Sequence, residues 1–207
     1  MEIITKKYEV YKFEELDKEV QEKLLEEQAK NECELYYEYC LSDDMENIAQ
    51  ELLQEYFQGA VFDKVYYDLS YCQGDGAQIN FDISILDLNK KYNFLSKKAI
   101  KFIEATGLPD FKVKQSGHYY HEKAFTIEWF FIDDFSYCDD FLTDEEVKII
   151  NNKIENIINE NFYNDIVKMN KELTKQGYNF IEDETTFKDI AADYLNGERF
   201  LQDGTFF

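Results

Sequence analysis

The sequence predicts an α+β fold, a single domain over residues 1–207 with an antiparallel sheet and helices packed on it. Three observations predict it. Segments 61–71 and 77–88 are rich in Val, Ile, Phe and Tyr. Only Cys72-Gln73-Gly74-Asp75-Gly76 separates them, too short for a parallel crossover, so they pair as an antiparallel hairpin. Elsewhere apolar residues recur at helical spacing between cap signals. With 44% hydrophobic and 17% aromatic residues, the chain has enough apolar surface for a sizeable core despite its charge.

The elements follow in order. Lys7 to Phe13 alternates apolar and polar residues as a half-buried strand does. A helix is expected from about Glu14, with Leu16, Val20, Leu24, Cys33, Tyr36, Tyr37 and Cys40 on one face. Asp43 or Asp44 is suited to cap a second helix, Met45 to Phe57, which Gly59 ends. In the second strand of the hairpin, Ile79, Phe81, Ile83 and Ile85 alternate with Asn80, Asp82 and Ser84. Ser96 to Thr106 reads as a helix stopped by Gly107 and Pro109. Phe111 to Tyr120 and Ala124 to Ile132 read as a second strand pair. Thr143 and Glu146 form a capping box for a long helix. Its seam runs through Val147, Ile150, Ile154, Ile157 or Ile158, Phe162, Val167, Met169 and Leu173. A short helix over Phe187 to Leu195 leads to a terminal hairpin, Arg199 to Phe207, turning at Asp203-Gly204.

Charge is the strongest functional signal. Asp and Glu number 44 against 22 Lys and Arg, a net of -22. One cluster spans Glu14 to Glu46 and includes Glu19, Glu22, Glu26, Glu27, Asp43 and Asp44; only Lys18, Lys23 and Lys30 dilute it. A second holds Asp133, Asp134, Asp139, Asp140, Asp144, Glu145 and Glu146 with no basic residue among them. Such surfaces repel nucleic acid and attract proteins that bind it. Arg199 is the only arginine, which argues further against direct contact with DNA or RNA. Abundant Lys, Asn and Ile argue against salt adaptation as the origin of the charge. A solvated acidic face is the bland alternative to a partner surface.

No run of about 18 apolar residues exists, and Met-Glu-Ile-Ile-Thr-Lys-Lys lacks the apolar stretch of a signal peptide. A cytosolic protein without a membrane span is therefore expected. Cys33, Cys40, Cys72 and Cys138 include no C-x-x-C pair and are expected as free thiols, serving core packing, with metal or redox use as the alternative.

Two short motifs stand apart from the charge. His118 and His121 lie in Gly117-His118-Tyr119-Tyr120-His121-Glu122. On a regular strand they face opposite sides, so one ion would need a bulge or turn to reach both. They read either as partly exposed hydrogen-bonding residues or as metal or catalytic groups acting with Asp75 or Glu122. The Gln73-Gly74-Asp75-Gly76 turn reads as a tight hairpin or as a close backbone approach to a ligand. It lacks the lysine and following helix of a phosphate loop. No nucleophile elbow, H-E-x-x-H helix or complete calcium loop is present. The balance leans away from an enzyme, and no cofactor is expected.

Tyr11-Lys12-Phe13-Glu14-Glu15-Leu16, Val65-Tyr66-Tyr67-Asp68, Gln73-Gly74-Asp75-Gly76-Ala77, Gly117-His118-Tyr119-Tyr120-His121 and Phe200-Leu201-Gln202-Asp203-Gly204 occur in this order. Together they resemble a widespread family of small acidic phage and prophage proteins, some automatically labelled antitoxin-like. The patches span nearly the whole chain. Two departures stand out: the unusually acidic stretch after Leu16, and Lys114-Gln115-Ser116 where the family pattern has an arginine. The resemblance implies the cytoplasm of an infected bacterial host. Joined to the charge, it implies an inhibitor of a host defence system of the anti-CRISPR or anti-restriction kind. The partner would be a basic nucleic-acid-binding protein, a CRISPR effector or restriction nuclease. The alternatives are an antitoxin-like or regulatory binding protein, and a metal-dependent enzyme using Asp75, His118 and His121.

Overall fold

The computed structural model of the chain describes residues 6–107, 110–129 and 142–207. The chain divides into two compact units: Met1–Ser42 with Asn179–Phe207, and Asp43–Tyr178. The fold class is α+β with an antiparallel sheet, as the sequence predicts.

In the larger unit, β1 (Val61–Asp68), β2 (Gly76–Ile83), β3 (Phe111–Gln115) and β4 (Phe125–Glu128) form one sheet in that order, each neighbour antiparallel. β2 is buried on both faces. The face carrying Ile79 and Phe81 meets an aromatic core. There Phe81 stacks on Phe57 at 5.4 Å, and Phe162 meets Phe57 edge-on at 5.1 Å. Phe162 also meets Phe111, at 6.2 Å. Offset and edge-on pairs of this kind add to the burial energy of the rings.

The second strand is shorter than its alternation suggests. Helix α3 (Ile85–Tyr92) starts where Ile85 continues the period of two. Ser84 decides this, because its Oγ accepts the Asp87 N–H at 3.0 Å and donates to the Asp87 carboxylate at 2.6 Å. Helix α4 (Lys97–Thr106) behaves as read, with Ser96 as N-cap and Gly107 left-handed at its end. β3 and β4 keep their pairing but stop short of the histidines.

The long helix begins at the predicted capping box. Thr143 Oγ1 accepts the Glu146 N–H, and Glu146 Oε2 accepts the Thr143 N–H. It runs as α5 (Asp144–Ile157), a π-helical stretch over Ile158–Phe162, then α6 (Tyr163–Ile181). Ile150, Ile154, Ile158, Phe162 and Ile166 are buried at steps of four. At 3.6 residues per turn each step drifts about 40° around the axis. The wider π turn takes up that drift and returns Ile166, Met169, Asn170 and Leu173 to the buried face.

Helix α6 also completes the sheet. β3 pairs only with Phe81, Asp82 and Ile83 of β2. Further along β2, the Ile79 N–H donates to Asn170 Oδ1 at 3.3 Å and the Ala77 N–H to Thr174 Oγ1 at 2.8 Å. Asn170 and Thr174 stand one turn apart, so two side chains replace a missing strand. Gly177, a further turn along on this buried side, has no room for a Cβ: one would lie 2.8 Å from Leu69 Cδ1 and 2.9 Å from Met45 Sδ. Helix α2 spans Leu41–Tyr56, so Asp43 and Asp44 lie inside its first turn rather than at its cap. They still suit the positive end of the helix dipole.

In the smaller unit, α1 (Lys18–Tyr39) packs on α7 (Glu184–Gly197). The core is Leu16, Leu195 and Phe200 at one end, with Ala29, Phe187 and Ala191 along the pair. The strand expected over Lys7–Phe13 is absent. Tyr11 makes a single antiparallel bridge to Phe200, and Phe13–Glu15 is a 3-10 turn. The Asp203-Gly204 turn forms, but the terminal hairpin is one bridge, Phe200 to Phe206. Short segments without a sheet neighbour have no ladder to extend. Of the cysteines, Cys33 is half-buried and packs against the Ala29, Phe187 and Ala191 core, while Cys40 and Cys72 are exposed, which corrects the expectation of core packing for those two. Cys138 lies outside the described residues.

Asn170→Ala is expected to destabilise the protein by about 1–3 kcal/mol, because it strands the buried Ile79 N–H. Thr174→Val should cost about 1 kcal/mol, and the pair together more than either. Urea unfolding, read as midpoint shifts at constant slope, checks this.

Candidate functional site

The structure brings the two short motifs together. Past β3 the chain folds back, and the Tyr120 N–H donates to the Gly74 carbonyl at 3.0 Å. The approach is backbone to backbone, which is why glycine is needed. A Cβ at Gly76 would lie 2.5 Å from the Tyr120 carbonyl oxygen, and one at Gly74 2.1 Å from the Tyr119 ring. Both glycines have positive φ. Beneath the loop, Gln78 Nε2 donates to the His121 carbonyl and Asn170 Nδ2 to the Glu122 carbonyl.

Asp75 is the hub of the turn. Its carboxylate accepts the Cys72 N–H at 2.7 Å, the Cys72 thiol at 2.9 Å and the Tyr178 hydroxyl at 2.8 Å. Partial burial works to raise its pKa, but these donors outweigh it and hold the carboxyl below its ordinary range. The Cys72 thiol is pushed up, first by its hydrogen bond to Asp75; contact with Ser70 opposes this. The Tyr178 hydroxyl is pushed up by burial and then by the Asp75 carboxylate. The Asp68 carboxylate accepts from the Ser70 N–H and hydroxyl, and Ser70 Oγ lies 3.2 Å from Cys72 Sγ.

Asp68, Cys72 and Asp75 therefore offer ligand atoms within 4.8 Å of one another, a geometry that suits a divalent ion. Binding would require the thiol to lose the proton it gives Asp75, a step that the raised thiol pKa opposes. Neither histidine belongs to this group. Both are exposed, and His121 Nδ1 accepts the Lys123 N–H at 3.2 Å. Among the described residues no hydrogen bond joins either imidazole to Asp75. The motifs meet through main chain and tyrosine rings, and the turn's side-chain partners are Cys72 and Tyr178. The sequence signal for Cys72 was its place three residues before Asp75; Tyr178 had none.

The acidic residues fall in three places. Glu19, Glu22, Glu26 and Glu27 are exposed on α1. Lys23 pairs with Glu27 at 3.9 Å and Lys30 with Glu34 at 3.8 Å, both well exposed. Among the described residues Glu19, Glu22 and Glu26 have no ion-pair partner. Asp43 is exposed and Asp44 half-buried in α2. Asp144 and Glu145 are exposed in the first turn of α5, while Glu146 is held by Lys98 at 2.6 Å. Asp133, Asp134, Asp139 and Asp140 lie outside the described residues. Among the described residues no helix is long and apolar enough to cross a membrane.

No protein-family model matches this chain, and no curated protein or solved structure is similar to it.

Two outcomes are expected here. Gly76→Ala should lower the unfolding midpoint much more than Gly117→Ala. Both have positive φ, but only at Gly76 does a Cβ meet backbone. Asp75 has a lowered folded pKa, so its stabilisation is present above the ordinary aspartate value of 3.8 and is lost as pH falls below it. Asp75→Asn should flatten that part of the acid-unfolding curve, seen as a gap between wild type and variant that closes towards low pH.

Proposed function

We propose that this protein is an inhibitor of a host nucleic-acid-targeting defence system, of the anti-CRISPR or anti-restriction kind. In this reading it acts in the cytoplasm of an infected bacterium. It covers the basic nucleic-acid-binding surface of a CRISPR effector or restriction nuclease with its own carboxylates. The observation that carries the reading is helix α1. Its Glu19, Glu22 and Glu26 are exposed with no ion-pair partner among the described residues, on a chain of net charge -22. Acids one turn apart on a helix stand roughly 5–6 Å from each other, close to the spacing of phosphates along a strand. A basic channel that releases counterions from DNA can do the same against such a helix. The resemblance to acidic phage proteins supports the same setting.

The test is a cleavage assay with purified CRISPR effectors and restriction nucleases. Protection of the DNA substrate is expected at about 50 mM salt, with most of it lost at several hundred millimolar as charges are screened. The triple reversal Glu22→Lys, Glu26→Lys, Glu27→Lys should abolish protection. A single Glu22→Ala should weaken binding by less than about fivefold, as isolated exposed charges do. No protection of any enzyme, at any salt, would sink the reading. Neutralisation of a basic toxin in the same assay format would instead favour the antitoxin-like alternative.

A further inference from the structure

In the smaller unit the Asp203-Gly204 turn lies on α1, and the two form a groove of about 480 Å³. The turn sits this close because Gly204 has no side chain. A Cβ there would lie 2.8 Å from Val20 Cγ1 and 3.3 Å from Leu24 Cδ1, and φ is +86°. Two backbone hydrogen bonds hold the turn: the Leu201 N–H donates to the Thr205 carbonyl at 2.8 Å, and the Gly204 N–H to the Leu201 carbonyl at 3.0 Å. Half-buried Val20 and Leu24 give the groove an apolar lining. Its carboxylates are Glu19 and Glu27, about two turns apart on α1, and Asp203 on the turn. Asp203 Oδ1 accepts the Thr205 N–H at 3.0 Å, which fixes the carboxylate and holds its pKa below the ordinary aspartate value. Among the described residues that line the groove, the basic one is Lys23, an exposed partner of Glu27 at 3.9 Å.

We propose that this groove receives an arginine side chain of the basic partner. Charge and lining choose the occupant together. Three carboxylates against one ammonium draw in a further cation and turn an anion away. The carboxylates stand on two walls, α1 and the turn. A planar guanidinium with five donors is suited to reach both, whereas a lysine ammonium is a compact charge and more tightly hydrated. Val20 and Leu24 take the aliphatic stem, because such stems cover apolar surface while the charged head stays with its partners. Lys23 holds the place in the free protein. Its long, exposed pair with Glu27 contributes little and yields to the incoming group. The inference rests on the reading of a basic partner and adds where on α1 that partner makes a specific contact.

The test uses the full chain with hexaarginine as probe, by calorimetry at fixed ionic strength. Glu19→Gln with Asp203→Asn should weaken binding about tenfold. Asp189→Asn with Asp193→Asn removes the same two charges from exposed positions on α7 outside the groove, and should cost about two- to threefold. Lys23→Gln removes the competing ammonium and should tighten binding about fivefold; Lys30→Gln, outside the groove, should tighten it by less than about twofold. Equal losses from the two double variants would overturn the proposal and leave the basic-partner reading standing. So would hexalysine bound as tightly as hexaarginine. If the groove variant fails to fold by circular dichroism, the two lysine variants decide, and equal gains from them overturn the proposal. Absence of hexaarginine binding by the wild type would overturn both readings. A dimer in sedimentation that Arg199→Gln dissolves would also overturn it, giving the groove to a second copy.

Discussion

The larger unit depends on one constraint: the central strand β2 must satisfy its backbone where β3 no longer reaches it. A buried N–H without a partner costs about as much as several good contacts return. Asn170 and Thr174 meet that demand from α6. They tie the helix to the sheet at a set rotation and height. The π-helical stretch at Ile158–Phe162 is the consequence upstream, since it brings the helix into phase for both the aromatic core and the two polar residues. Downstream, Asn170 also holds the Glu122 carbonyl, so the same side chain sets the position of the loop carrying His118 and His121.

That loop and the Gln73–Gly76 turn form one packed structure. Glycines at 74 and 76 let the main chains touch, and Asp75 ties the turn to Cys72 and Tyr178. The hydrogen bonds that lower the Asp75 pKa are those that hold the turn closed. The imidazoles stay outside this network. In the structure the motifs form a braced corner, with Asp68, Cys72 and Asp75 at its edge.

Charge is compensated unevenly along the chain. In the larger unit many acids have nearby lysines: Lys91 with Asp165, Lys98 with Glu146, Lys112 with Asp82, Lys114 with Glu128 and Lys171 with Glu122. On α1 the ion pairs are Lys23 with Glu27 and Lys30 with Glu34, exposed pairs that contribute little. Among the described residues, α1 has seven acids to three lysines and α2 five acids and no lysine, so negative charge gathers on both helices. Helix α1 packs through a narrow apolar stripe, Val20, Leu24, Leu25, Ala29, Cys33 and Tyr36, against α7 and its neighbours.

The sequence by itself determined the α+β class, the β1–β2 hairpin, the Thr143 capping box and the helix stop at Gly107. Each rests on interactions between residues a few positions apart, whose chemistry is visible in one dimension. It also determined the acidic character of α1, because charge is compositional. Tertiary structure decided the rest. Lys7–Phe13 has a strand's pattern but only one bridge, since a pattern does not supply a neighbouring strand. Ile85 continued an alternation that the Ser84 cap ended. The side-chain partners of the Gln73–Gly76 turn could not be read ahead, because Tyr178 meets Asp75 across 103 residues of chain. Nor could the roles of Asn170 and Thr174 be read, because the need they meet exists only once β3 turns away from β2.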